Sequence, residues 1–339
     1  MKNRFPIFNS GVFIFMALFV VSALSLDFVW SKWVLMKSEL SNERKLDRLL
    51  NHHDPNEIPV FGSSKARSAF IPDSLGNDFY NYGMEKCGFD VINFLLEVEL
   101  SKDKESPIFI EYNHRSFIKA PEHTINMATY LPHLANKKVM DFLQKNDRME
   151  FRYRIPGLRY YGSYFYYFRY YMKQSTGSRK IVSKGGNFAD VTLSKEVFGT
   201  LVSNRMQMMN RLDELQLAIN DHTQAVSASQ RRELEYLKNF LWFTYDPDLV
   251  EAFEELVKSH PERRVYLVYT PQHWSELKGI ANLNEMQAFF KSMEQGIENL
   301  EVIDLSNMEL PDNGFKNTSH LNLLGARRFS SSLRDRLTQ

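Results

Sequence analysis

A single cysteine, Cys87, is all that the 339-residue chain contains, which excludes an internal disulfide framework and a cysteine-based metal site. One thiol cannot pair within the chain, so either redox compartment is compatible with it. An excess of one charge is lacking too. The 42 lysines and arginines stand against 41 aspartates and glutamates, and no overall field argues for a nucleic-acid partner. Zinc-ligand spacing, a phosphate-cradling loop and a dinucleotide glycine fingerprint are all missing. No cofactor and no metal are therefore expected. His52 and His53 precede Asp54, but adjacent residues rarely point at one ion, and nothing completes the set. No internal repeat or low-complexity tract interrupts the chain, whose length suits one large domain with insertions or two small ones.

What is present begins with a long uncharged run. Residues 11–26 carry no charge, Phe28, Val29 and Trp30 extend the run past Asp27, and Lys2 and Arg4 precede it. At about 1.5 Å per residue, roughly 20 residues cross a bilayer core, so residues 11–30 predict a membrane-spanning signal anchor. Trp30 and Trp33 suit the headgroup layer. The competing readings are a cleaved signal peptide, with Ala23-Leu24-Ser25 as a poor cleavage site, and a buried helix. Lys2 and Arg4 favour a cytoplasmic N-terminus, against which Lys32 and Lys37 count. The bulk of the chain is then extracytoplasmic, and periplasmic in a Gram-negative bacterium.

Residues 34–54 are polar and helix-prone and read as a stalk ending at the Asp54-Pro55 break. Beyond it, short apolar runs alternate with helical patterns. Strands are predicted at Ile58–Phe61, at 78–82, at 107–113, at 264–270 and at 300–305. Helices are predicted from Gly83 towards Leu100, at 247–259, at 283–295 and at 324–337. This alternation is the signature of a doubly wound five-stranded parallel sheet, an α/β fold. Residues 115–245 break the rhythm and read as a mainly helical insertion covering one side of the sheet. It holds a tyrosine-rich block from Tyr153 to Tyr171 interleaved with Arg152, Arg154, Arg159 and Arg169, a Gly185-Gly186 turn, and a long helical region from Ser194 to about Leu237. That block suits ordinary packing, with a carbohydrate or membrane-surface face as the sharper alternative.

Ligands of an open α/β sheet bind beyond the carboxyl ends of its strands. Those ends carry Ser63 and Ser64, then Asn81 and Gly83, then Asn113, His114 and Arg115, then Thr270, Gln272 and His273. Asn317 and His320 follow the fifth strand. A serine after the first strand and a histidine near the C-terminus suggest nucleophilic hydrolase chemistry.

Gly62-Ser63-Ser64, Gly83, Asn113 and the His320-Leu321-Asn322-x-x-Gly325-Ala326 segment together resemble the four signature blocks of SGNH (GDSL-type) hydrolases. More narrowly, they resemble the membrane-anchored branch that acts beside membrane-bound O-acyltransferases in modifying cell-surface polysaccharides. The resemblance covers about residues 55–113 and 262–335. It implies a flavodoxin-like sheet and an esterase or O-acetyltransferase activity on an acylated glycan or acyl donor, with a membrane-bound O-acyltransferase as partner. Ser64 is then the nucleophile and His320 its base. The Ser64 and Gly83 backbone N–H groups and the Asn113 side chain form the oxyanion hole, and Arg67, His114, Arg115 and His273 are candidate substrate contacts.

Two positions depart from the family pattern. Ser63 replaces the aspartate of the first block. Asn317 stands where the family places the aspartate that orients the histidine, and an amide stabilises no imidazolium through a full charge. Three outcomes follow: a Ser-His-Asn arrangement, a Ser-His dyad helped by another carboxylate such as Asp312 or Asp304, or a non-catalytic, membrane-tethered glycan-binding or assembly protein. Each residue also has a plainer role. Ser64 suits a helix N-cap, Asn113 a turn, Gly83 a backbone constraint, Arg67 an ion pair, and His320, His114, Arg115 and His273 structural or solvent positions.

Overall fold

A computed structural model describes residues 10–35, 41–85, 87–118, 126–161, 181–188, 194–220 and 227–338. The expectations placed on Lys2, Arg4, Lys37 and the aromatic block beyond Tyr161 lie outside these residues. The described residues divide into two compact units, one built from those up to Leu50 with 126–161, the other from 51–118 with those from 181 onward.

In the first unit, the helix Ser10–Val29 continues into a π-helical turn, Trp30–Leu35. Residues Gly11–Lys32 are long and apolar enough to cross a membrane. The polar segment expected as a stalk instead contains a packed helix, Asn42–Asn51. Leu46 and Leu49 are fully buried, and the His133 ring Nε2–H donates to the Glu43 carbonyl at 3.1 Å. Spacing of three residues puts both leucines on one face, a stripe too short to stand out among the surrounding charges. Residues 126–161, expected as the first half of an insertion over the sheet, belong to this unit as well. They form the short helices Met127–Tyr130 and Lys137–Lys145 and a 3-10 turn at Phe151–Arg154.

The second unit is an α/β fold. Its strands are β1 (Ile58–Phe61), β2 (Phe79–Asn81), β3 (Ile108–Tyr112), β4 (Ile181–Ser183), β5 (Gly186–Phe188), β6 (Val265–Tyr269), β7 (Leu300–Asp304), β8 (Phe315–Asn317) and β9 (His320–Leu321). Five of them make a sheet in the order β2-β1-β3-β6-β7, and every neighbouring pair is parallel. Side chains alternate across it. Val60, Phe109, Val268 and Ile303 share one core cluster with Phe329 and Leu333 of the final helix, Leu323–Leu337. On the other face, the Tyr112 ring lies 4.0 Å from that of Phe290 in the helix Leu283–Gly296. Helices thus cover both faces. Strand order reverses between β1 and β3, and crevices form at such switch points.

The described part of the former insertion is less uniformly helical than expected. β4 and β5 pair antiparallel around Lys184-Gly185, and the Lys184 carbonyl accepts the Asn81 N–H at 2.9 Å. The long helical region splits into Lys195–Asn220 and Ala228–Leu241, joined through Leu212, Leu215, Leu234, Leu237 and Leu241. After β7 the chain makes a small antiparallel hairpin, β8 with β9, which sets His320 just ahead of the final helix.

Candidate active site

β1 gives way to Gly62, whose φ of +145° is open to glycine and rarely to other residues. A Cβ there would stand 2.7 Å from both Ala66 Cβ and Glu111 Cβ. The chain therefore turns tightly over β3 before entering the helix Ser64–Ala69. Its N-cap is Ser63, whose Oγ accepts the Lys65 N–H at 3.2 Å. Ser64, one residue into the helix, has a hydroxyl that takes no part in capping, so the N-cap reading belongs to its neighbour. The Ser64 N–H also has no partner among the described residues, as first-turn amides need not.

The Ser64 Oγ lies 2.9 Å from His320 Nε2, across 256 positions of sequence. The opposite ring nitrogen, Nδ1, is 3.0 Å from Asn317 Oδ1. That same oxygen accepts the backbone N–H groups of Ser319 at 3.0 Å and His320 at 2.8 Å. Two backbone donors on one atom leave no freedom to exchange oxygen and nitrogen of the amide. Asn317 therefore presents an acceptor to Nδ1, Nδ1 carries the ring proton, and Nε2 turns a lone pair to the serine. Ser319 Oγ stands 3.1 Å from Nδ1 as a further partner. Burial draws the imidazole pKa down to about 4, helped by the Lys65 and Lys316 charges and opposed by Glu276 and Glu85. At neutral pH the ring is uncharged and able to take a proton.

The carboxylates named from the sequence as substitutes do not meet this ring. Asp312 Oδ1 is 3.4 Å from His273 Nε2, and Asp304 accepts from Gln287 at 3.0 Å and from the Ser306 N–H at 2.9 Å. The dyad assisted by Asp312 or Asp304 is thereby corrected: both lie on other partners.

A different carboxylate organises the site from beneath. Glu111, 1% exposed on β3, accepts the Ser63 N–H at 3.0 Å and the Ser63 hydroxyl at 2.8 Å through Oε2. Its Oε1 accepts from Asn113 Nδ2 at 2.9 Å. One side chain thus ties the serine turn to the Asn113 amide, whose second Nδ2 hydrogen has no partner among the described residues. A charged residue within the apolar run Ile108-Phe109-Ile110-Glu111-Tyr112 was the sequence signal for it. Lys65, also missed, donates from Nζ to Gln272 Oε1 at 3.0 Å. Burial lowers its pKa, while Glu111 and Glu276 pull it upward. Glu276 in turn holds the histidine loop, accepting the Thr318 hydroxyl at 2.5 Å and lying 3.3 Å from Arg205.

The remaining sequence candidates divide. The Gly83 N–H donates to Asn81 Oδ1 at 2.9 Å, so it is directed into the protein instead of towards an oxyanion. A Cβ on Gly83 would meet the Arg67 backbone nitrogen at 2.5 Å, which makes close packing its role. Arg67 pairs with Glu85 at 2.8 Å with its own side chain 4% exposed. His114 is buried and donates from Nε2 to the Phe240 carbonyl at 3.2 Å, and its pKa is pushed well down by burial. His273 caps the helix Trp274–Lys278 and meets Phe198 edge-on at 4.6 Å. Its backbone N–H reaches the Thr318 carbonyl at 3.3 Å, so it supports the histidine loop. His114 is thereby closed to a substrate at Ser64, while His273, 2% exposed, lines a cavity away from Ser64 and His320. Arg115 is exposed, stands 5.6 Å over the Phe240 ring, and remains available at the rim. A cavity of about 750 Å³ beyond β6 and β7 is lined by Gln272, Trp274, Met308 and Arg328 among others, and touches neither Ser64 nor His320.

No protein-family model matches this chain, and no curated protein matches it.

Proposed function

We propose that the chain is a membrane-anchored serine esterase or O-acyltransferase of the SGNH type, acting on an O-acyl ester, acetyl in the simplest case, of an extracytoplasmic glycan. The observation that carries the reading is the 2.9 Å contact between Ser64 Oγ and His320 Nε2, with the tautomer set by Asn317. As His320 Nε2 takes the hydroxyl proton, Ser64 Oγ adds to the ester carbonyl. Charge collects on the carbonyl oxygen, where the Ser64 N–H and Asn113 Nδ2 are the available donors. Collapse breaks the ester C–O bond, His320 returns its proton to the leaving alcohol, and an acyl group stays on Ser64. Water or an acceptor hydroxyl then reverses the sequence, giving hydrolysis or transfer. The SGNH assignment draws on the spacing of the four blocks and on the parallel five-stranded sheet. The helix Ser10–Val29 would hold this body at the outer surface of the membrane, where a membrane-bound O-acyltransferase is the fitting partner.

A second reading, a non-catalytic glycan-binding scaffold, draws on one observation: an amide occupies the position of the orienting carboxylate. Hydrolysis of p-nitrophenyl acetate and covalent capture by a fluorophosphonate separate the two. The catalytic reading expects both with the native chain and neither with Ser64→Ala. Equal turnover by the two proteins, or an unlabelled native Ser64, would overturn it.

A further inference from the structure

The N-terminal helix is joined to a segment far along the chain. Asp27, the first charged side chain after Arg4, is 7% exposed. Its Oδ1 lies 2.8 Å from Arg159 Nε and accepts the Gly157 N–H at 3.1 Å. Ser31 Oγ and Tyr160 OH are 2.5 Å apart. Gly157 approaches so closely that a Cβ on it would stand 2.9 Å from Ala23 Cβ. Ala23, Asp27 and Ser31 are spaced by four residues and so lie along one helix face. Trp30 packs into the same cluster as Tyr153, Tyr160 and Leu131.

The segment that reads this face is itself amphipathic. Phe151, Leu158 and Tyr161 are 78%, 45% and 70% exposed, and Arg152 and Arg154 stand among them in sequence. Large exposed apolar side chains mixed with arginine are the composition of a membrane-interface segment. Depth follows from the helix. Helix residues 10–26 contain no charged side chain, and at about 1.5 Å per residue they extend roughly 25 Å, most of the thickness of a hydrocarbon core. Asp27 therefore marks its edge, and Ala23 lies about 6 Å further in. A loop touching Ala23 reaches the boundary between headgroups and acyl chains.

We propose that residues 150–161 form an interfacial collar, clamped to the anchor helix by Asp27–Arg159, Ser31–Tyr160 and the Gly157–Ala23 contact, which inserts Phe151, Leu158 and Tyr161 into the lipid leaflet where the helix emerges. The inference rests on the helix spanning the bilayer and is independent of the chemistry at Ser64.

The test uses the full chain with Cys87→Ser, reconstituted in phosphatidylcholine nanodiscs that carry a shallow nitroxide lipid or, for the Phe19 position, a deep one. A polarity-sensitive fluorophore is attached in turn through Leu158→Cys, Phe19→Cys and Tyr236→Cys. Phe19 and Tyr236 are 62% and 63% exposed, so neither position is covered by protein. The collar predicts blue-shifted emission and about threefold stronger quenching for the Leu158 label than for the Tyr236 label. Adding Arg159→Met should return the Leu158 signal towards the Tyr236 level while the Phe19 signal holds. Quenching at Phe19 without quenching at Leu158 overturns the collar and leaves the anchor intact. A Leu158 label shielded from aqueous iodide yet untouched by the nitroxide means that protein covers the patch, which also overturns it. An unquenched Phe19 label removes the anchor, and the collar with it.

Discussion

Asn317 Oδ1 accepts both the backbone N–H of His320, at 2.8 Å, and its ring Nδ1–H, at 3.0 Å. One neutral oxygen therefore fixes the loop and the tautomer together, without supplying the charge that would stabilise an imidazolium. Burial and the nearby lysines then leave the ring a weak base, with a pKa near 4.

The acid limb of kcat/KM for an acetyl ester should accordingly lie near pH 4, far below the ordinary imidazole value of about 6.5. Asn317→Asp adds a carboxylate to Nδ1, raises the histidine pKa and moves this limb towards neutrality, with kcat at pH 7 maintained or increased. A large loss of kcat, or an unmoved limb, would assign the amide a specific role.

Lys65 acts on the same ring through its charge. Lys65→Met should also raise the limb, by less than Asn317→Asp, because burial, the largest cause of the depression, remains. Gln272→Ala, which removes the Lys65 partner and keeps the charge, serves as the control. A pH-rate profile for each variant decides.

Glu111→Gln probes the carboxylate beneath the serine turn. Glutamine keeps one acceptor for Ser63 but turns an amide N–H against Asn113 Nδ2, setting donor against donor. The cost should be about 1.5–3 kcal/mol of stability by denaturant unfolding, as for hydrogen bonds to a charged group. The loss of activity should fall mainly on kcat. Unchanged stability would mean that Glu111 does not hold the turn.

Asn113→Ala removes an oxyanion donor and should lower kcat about 100- to 1,000-fold with little change in KM. Gly83→Ala offers a contrast, since its new Cβ would meet the Arg67 backbone nitrogen. It should destabilise by about 1–3 kcal/mol through overpacking, visible as a lower thermal midpoint even in a Ser64→Ala background.

Stability should fall in mild acid. His320 has a folded pKa near 4, below the unfolded value of about 6.5, so the unfolded chain binds the proton first. Its contribution is complete above pH 6.5 and is lost progressively as pH falls to 4, on the order of 3 kcal/mol in all. His114, His133 and His273 are depressed in the same direction by burial. Glu43, raised to about 7 by burial, works oppositely: its contribution is complete below about pH 4.5 and is lost as pH rises through 7. Unfolding at pH 7.5, 6 and 5 with His320→Gln beside the native chain measures the histidine share. A slope unchanged by the substitution would remove His320 from it.

Much of the fold was legible in local pattern. The β-type apolar runs at 58–61, 108–112, 265–269 and 300–304 gave four strands nearly to the residue, because buried parallel strands are apolar throughout. The 78–82 run predicted β2, which is three residues long. Less legible was everything that depends on partners distant in the chain. The segment 42–51 looked solvated because its polar residues outnumber Leu46 and Leu49, and the Asp27–Arg159 pair has no local trace at all. Residues 126–161 read locally as a cover on the sheet, because sequence proximity to β3 says nothing of the unit they join.

The candidate site divides along the same line. Ser64, His320, Asn317 and Asn113 were readable because strand ends and spacing place chemistry-bearing residues where an open sheet forms its crevice. What their side chains do was decided only by the tertiary structure. It gave the N-cap to Ser63, turned the Gly83 amide inward, put His273 behind the loop, and set Glu111 under the turn. A linear chain specifies residue types and local geometry. Which lone pair meets which proton depends on backbone segments hundreds of positions apart arriving within 3 Å of one another, and that is a property of packing.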